Sequence, residues 1–203
     1  MDLWPILFFV VSTSITPGPN NIMILTSGVN HGWRQSIPHL LGIDIGFPLM
    51  VIAIGLGLSG VFSAYPVIQN IIKYLGISYL LYLSYLIATS SAVVATDKQR
   101  PPFSFIQAAL FQWLNPKAWI MAIGAVASFT QAGQSLHWQV LTIAGLYFIA
   151  GTPCTICWLL AGQGLRRWLN RPQARRWFNY CMASLLVVSL LPSIAEEVRR
   201  WWP

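Results

Sequence analysis

The stretch SITPGPNNIMIL, Ser14 to Leu25, lies inside the first strongly apolar run of the chain, where a helix would be expected to continue unbroken. Pro17 and Pro19 lack the N–H that each would donate, and their rings clash with the preceding turn, so TPGPN ends one helix and lets a second begin. At 1.5 Å per residue the break falls about 18 Å from Trp4, close to the middle of a bilayer. Broken backbone at that depth is tolerated only where it is buried in protein or lines a polar cavity, because lipid cannot satisfy the freed carbonyl and N–H groups.

That the run is a membrane span follows from composition. Of the 203 residues 56% are hydrophobic and 8% charged, and the mean hydropathy is +0.60, whereas a soluble domain carries roughly a quarter charged residues. The net charge of +7 does not point to nucleic acid, since the basic residues cluster in short loops between apolar runs. Asp2 is the only early charge and no basic segment precedes the first run, so the N-terminus is expected to stay and span rather than to be cleaved.

Six runs approach the roughly 20 residues that a bilayer core requires. They are placed at about Trp4–Val29, Ile37–Phe62, Pro66–Val94, Phe105–Phe129, Trp138–Gly162 and Phe178–Glu196. The short connections leave no room for a soluble domain, so residues 1–203 are expected to form a single all-α transmembrane domain. The first, third and fifth loops carry Arg34, Lys98, Arg100, Arg166, Arg167, Arg171, Arg175 and Arg176, against Lys73, Arg199 and Arg200 on the other side. By the positive-inside rule the odd loops are cytoplasmic and both termini face outward. Trp4, Trp33, Trp138, Trp168, Trp177, Trp201 and Trp202 fall at the expected interfaces, where indole rings anchor.

Three spans per half place the second half upside down, the inverted-repeat architecture of many secondary transporters. The halves would be about 1–97 and 98–203. Pro17 recurs as Pro116, Pro48 as Pro153 and Pro66 as Pro172 at a near-constant offset. The fourth run is thereby interrupted at WLNPKAW as the first is at TPGPN. Pro17 and Pro19 would free the carbonyls of Thr13 and Ile15, and Pro116 that of Gln112, oxygens suited to a cation or an ammonium. The N–H groups of Asn20 and Asn21, at the positive end of the restarted helix, suit a carboxylate.

Two charged side chains lie deep within the spans: Asp44, roughly 12 Å into the second, and Lys117, about 16 Å into the fourth. Such groups are costly in a membrane and mark a partner or a pathway. The two matching depths fit either a structural ion pair or a shared transport cavity. Pro48 would also free the backbone carbonyl of Asp44, and Tyr74, Tyr79 and Tyr82 could turn hydroxyls toward a cavity. Gly42 and Gly46 form a small-xxx-small spacing for close helix packing, within one chain or in a homodimer.

The motifs TPGPNN, HGWRQS, GIDIG and NPKAW together resemble the LysE/RhtB superfamily of amino-acid exporters, over essentially the whole chain, and CWLLAG is most similar to the branch that exports cysteine and O-acetylserine. The resemblance implies a central substrate site at Thr16, Pro17, Gly18, Pro19, Asn20, Asn21, Asn115, Pro116 and Lys117. Asp44 departs from the small or neutral residue expected in that branch, and is taken as the proton-coupling group. The implied function is secondary export of a small neutral amino acid of the cysteine, O-acetylserine, threonine or homoserine type across the bacterial inner membrane by proton antiport.

Rival classes stay open at this point. Cys154 and Cys157 form a Cys-x-x-Cys that would suit a membrane thiol–disulfide oxidoreductase, although they sit on one helix and such a carrier needs accessible thiols of lowered pKa. The same apolar runs would also serve a metal-ion exporter of related fold or a partner-binding membrane protein. His31, His39 and His137 make no metal cluster, no serine, histidine and acid are arranged for hydrolysis, and no Walker A sequence is present, so neither a cofactor nor an enzyme activity is expected.

Overall fold

The structure is a computed structural model describing residues 2–58, 64–89, 101–131, 135–169, 171–191 and 194–195. Lys98, Arg100, Arg199, Arg200, Trp201, Trp202, the far ends of the second, third and sixth predicted runs, and the boundary between the predicted halves lie outside them.

The described residues are helical and hold no strand. We number the helices α1 (Leu3–Ile15), α2 (Pro19–His31), α3 (Ile37–Ala53), α4 (Pro66–Thr89), α5 (Phe105–Phe111), α6 (Pro116–Phe129), α7 (Leu136–Leu146), α8 (Thr152–Arg166) and α9 (Pro172–Val188). A π turn, Ile54–Leu58, continues α3; a 3-10 turn, Gln112–Leu114, follows α5; and a second π turn, Tyr147–Gly151, joins α7 to α8. Three stretches, Ile37–Gly57, Asn70–Thr89 and Leu136–Arg166, are long and apolar enough to cross a membrane as continuous helix.

Local chemistry sets the boundaries. The Asp2 carboxylate caps α1 by accepting from the Trp4 N–H, and α1 stops at Ile15 because Thr16, which precedes a proline, is extended. Prolines open α2, α6 and α9 at the first or second helical position, where the missing N–H costs nothing. Ser104 and Gln107 form a reciprocal capping box at α5. Pro19 and Pro116 each begin a helix, while Pro17 lies in the break. Arg175 and Arg176 belong to the opening turns of α9 rather than to a loop, because Pro172 starts that helix ahead of its apolar stretch.

Three pairings organise the bundle: α2 along α8, α3 along α5, and α4 along α9. Gly28 faces the Leu159 carbonyl and Gly162 the Leu25 carbonyl, with no space for a Cβ on either. Gly42 and Gly46 meet Phe105 and Ala109 of α5 in the same way, so the small-xxx-small spacing is used within one chain. Both of these pairs run parallel. Ile15, Leu25 and Gly32 approach Trp158, Gly162 and Arg166 in that order, as Gly42 and Gly46 approach Phe105 and Ala109. One apolar core joins Ile6 and Val10 of α1 to Phe47 and Met50 of α3, Ala122 of α6 and Ile143 of α7. A second lies among Ile22, Leu80, Phe111 and Leu186. Outward-facing Phe8, Ile106, Ile120 and Ile149 are exposed, as lipid-facing side chains must be.

Candidate functional site

The break between α1 and α2 leaves carbonyls at the end of one helix and N–H groups at the start of another. The oxygens expected to stay free are occupied. Thr13 O accepts from Thr16 Oγ1 at 2.9 Å, Ile15 O from the Trp158 indole at 3.1 Å, and Gln112 O from the Asn115 N–H at 3.3 Å. Asn21 reaches back and donates through Nδ2 to Ser14 O at 2.7 Å and Thr16 O at 2.8 Å. Carbonyls released at this depth recruit whatever donor is near, and here the donors come from the break itself and from α8.

Lys117 ties the two interruptions together. Its ammonium donates to Thr16 O and Thr16 Oγ1, both at 2.8 Å, and more weakly to Pro17 O at 3.4 Å. It thus sits at the negative end of α1. Asn115 caps α6 by accepting from the Lys117 backbone N–H at 3.1 Å. Asn20 donates through Nδ2 to Gln112 Oε1 at 2.7 Å and accepts from Gln112 Nε2 at 3.3 Å, a reciprocal amide pair spanning the two breaks. Gln112 is fully buried. The N-cap of α2 is Gly18, which supplies no side-chain acceptor, so the first-turn N–H groups of Asn20 and Asn21 are uncapped by it.

A small, partly open cavity of about 50 Å³ lies where these elements meet. Gly18, Asn20, Asn21, Asn115, Lys117 and Asp44 line it. Thr16 and Pro17 reach it through Lys117, while Pro19 and Pro116 only shape the helix starts. The walls that the sequence did not announce include Thr13, Phe47, Met121, Tyr147 and Thr155. Tyr74, Tyr79 and Tyr82 are not at this cavity: Tyr79 packs on Phe111, Tyr74 and Tyr82 are exposed, and the tyrosine present is Tyr147, its hydroxyl 3.5 Å from Thr13 Oγ1.

Asp44 and Lys117 therefore share one cavity without forming an ion pair. The lysine is held by Thr16, while Asp44 is 6% exposed and its Oδ2 is buried with no hydrogen-bond partner. Thr152 and Thr155 of α8 stand beside that carboxyl. A separated cation and carboxyl, with the positive end of α2 between the breaks, are complementary to a zwitterion.

The cysteines are free: Cys154 is buried, with its thiol 3.5 Å from Ala150 O, and Cys157 and Cys181 are exposed. Among the described residues no group of histidine, cysteine and carboxylate side chains could hold a metal ion.

The cysteine/O-acetylserine efflux protein of Salmonella paratyphi A (strain ATCC 9150 / SARB42) is 35% identical over 182 residues, covering 88% of this chain and 90% of its own. That of Escherichia coli (strain K12) is 33% identical over 181 residues, with coverage of 88% and 90%. No solved structure matches significantly. The LysE type translocator family matches residues 11–189, nearly all of the described helices and both breaks, and the chain therefore belongs to that family of membrane translocators rather than to any enzyme class.

Proposed function

We propose that the protein is a secondary exporter of small neutral amino acids, of the cysteine, O-acetylserine, threonine or homoserine type, in the bacterial inner membrane, driven by proton antiport. The observation that carries this reading is the cavity in which Lys117 and Asp44 stand apart, each without an ionic partner, beside the uncapped start of α2. The substrate carboxylate binds Lys117 and the N–H groups of Asn20 and Asn21. The ammonium binds Asp44, because the carbonyls first expected to receive it are already engaged. Asp44 is also the proton carrier, so protonation and the ammonium compete for one carboxylate. The relatives' efflux of cysteine and O-acetylserine supports the substrate class.

The proposed architecture is six spans in two inverted halves, about 1–97 and 98–203, with both termini outside the cytoplasm. If span one corresponds to span four, two to five and three to six, the pairing of span one with span five exchanges with that of span four with span two, and span three with span six maps onto itself. The observed pairings and their parallel direction support this scheme, and rocking of one half against the other would alternate access.

Everted vesicles test the function directly. Labelled cysteine or O-acetylserine should accumulate in vesicles bearing the protein and dissipate with a protonophore, and equal accumulation in vesicles lacking the protein would sink the export reading. Asp44→Asn, whose amide oxygen still accepts from an ammonium, should bind about tenfold more weakly and lose its response to an imposed pH gradient. An unchanged response removes Asp44 from coupling. A reporter fused after Pro203 should be active only outside the cytoplasm; the reverse refutes the orientation.

A further inference from the structure

A threonine within a helix ordinarily returns its hydroxyl to the carbonyl one turn earlier. Thr13, Thr26, Thr89, Thr142 and Thr155 do so, to Phe9, Ile22, Tyr85, Trp138 and Gly151. Thr152 is the exception among the described threonines: its Oγ1 is buried with no hydrogen-bond partner. It stands where the chain leaves the π turn Tyr147–Gly151, a local widening that recurs at functional sites. Its hydroxyl lies beside the Asp44 carboxyl, as does that of Thr155, which is bonded to Gly151 O; the Asp44 Oδ2 is itself buried and without a hydrogen-bond partner. Two orphaned polar atoms thus stand side by side inside an apolar bundle, where each alone is costly.

We propose that Thr152 is a positioning residue for Asp44, whose hydroxyl donates to the carboxylate when Asp44 is ionised and accepts from the carboxyl O–H when Asp44 is protonated. A hydroxyl can serve both states, whereas a carbonyl or an N–H serves one. The transfer moves one proton between the Asp44 carboxyl and a water of the cavity; no other covalent bond changes, and the threonine hydroxyl only turns.

The other titratable groups around Asp44 are few. Lys117 of α6 and the Tyr147 phenol of the π turn line the same cavity, and the Cys154 thiol of α8 is near enough to feel its charge. His39 lies earlier on α3, against the Phe103 ring. α2 contributes only His31 at its last residue and α7 only His137 in its first turn; α1 and α5 have none.

The inference rests on the proton-coupling reading of Asp44, and the test separates the two. Export of labelled cysteine into everted vesicles is measured across the pH range for wild type, Thr152→Val, Thr152→Ser and Asp44→Asn. Thr152→Ser should keep the wild-type curve. Thr152→Val should keep its membrane level and a KM within about twofold, while the midpoint of its pH–rate curve rises by about one pH unit, because the charge-assisted bond lost by the carboxylate is stronger than the bond lost by the neutral carboxyl. Thr152→Ala, which only removes atoms, gives the same readout where the valine variant does not accumulate. A merely structural threonine would change protein level and leave the midpoint in place, so an unshifted midpoint, or a serine variant shifted as far as the valine, overturns the proposal. Wild-type pH response in Asp44→Asn overturns the coupling reading itself, whatever Thr152 does.

Discussion

Neutralising Asp44 and Lys117 singly and together distinguishes a transport cavity from a structural ion pair. In a buried pair, removing one member strands the other at a cost of roughly 3–5 kcal/mol, and the double variant recovers most of it. The geometry here predicts otherwise, because the Lys117 ammonium is held by Thr16 O and Thr16 Oγ1 at 2.8 Å and not by Asp44. Lys117→Met forfeits those two charge-assisted bonds, and since water from the cavity can reach the vacated oxygens the net loss should be about 1–2 kcal/mol. Asp44→Asn removes a buried charge while keeping an acceptor, so its effect on stability should lie within about 1 kcal/mol of zero. The coupling energy from the four thermal unfolding curves in detergent should then be about 0.5 kcal/mol or less. Export tells the other half: losing a charge-assisted carboxylate clamp worth about 3 kcal/mol lowers the rate on the order of a hundredfold, and the double variant should stay near background although it folds. A coupling energy of about 3 kcal/mol, or wild-type export by the double variant, would refute the reasoning.

Three further outcomes follow from the packing. Gly162→Ala should cost about 1–3 kcal/mol and lower membrane accumulation, because its Cβ would meet the Leu25 carbonyl, whereas Gly164→Ala, with nothing near it, should match wild type in the same immunoblot and melting assay. Asn20→Leu should lose about 1–3 kcal/mol by leaving the Gln112 amide buried without its partner, and adding Gln112→Leu should restore melting but not export. Replacing both Cys154 and Cys157 with Ala should leave at least about half of the export rate; complete loss at normal expression would revive a redox function.

The breaks were legible in the sequence for a covalent reason. Proline removes a donor wherever it stands, so TPGPN and NPK announce interrupted helices without any knowledge of the tertiary arrangement. Asp44 and Lys117 were legible for an energetic one, since a charge in an apolar run is rare enough to notice. What could not be read was who satisfies whom. Counting lost donors names the carbonyls of Thr13, Ile15 and Gln112, yet nothing near TPGPN in the chain reveals that the Trp158 indole takes Ile15 O. Helical spacing likewise put Tyr74, Tyr79 and Tyr82 on one helix without saying whether that face looks inward. Tyr147 and Thr152 were missed because the segment YFIAGT reads as continuous apolar helix, and a π turn changes the direction of those side chains without a breaker at its start.

The electrical arrangement of the first break bears on how binding could move the helices. α1 presents its carbonyl end to Lys117, and α2 presents its N–H end to the cavity, so one interruption separates a helix's two poles and gives each a different partner. Lys117 belongs to the second interrupted run, which makes its bonds to Thr16 a tie between the two halves of the proposed repeat. The ammonium has three donors, and two are spent on Thr16 at short distance. A substrate carboxylate that takes up Lys117 in the proposed mode competes with Thr16 for them and weakens that tie as it binds. The Asn20 and Gln112 amides, bonded to each other, keep the breaks in register meanwhile. Substrate binding would then loosen one link between the halves while preserving another, the condition for a hinge rather than for separation. On this reasoning Thr16→Val should weaken the resting tie, raise substrate affinity by freeing Lys117, and slow the return of the empty carrier, visible as a lower KM together with a lower kcat in the same vesicles; a higher KM at unchanged kcat would instead make Thr16 a direct substrate ligand.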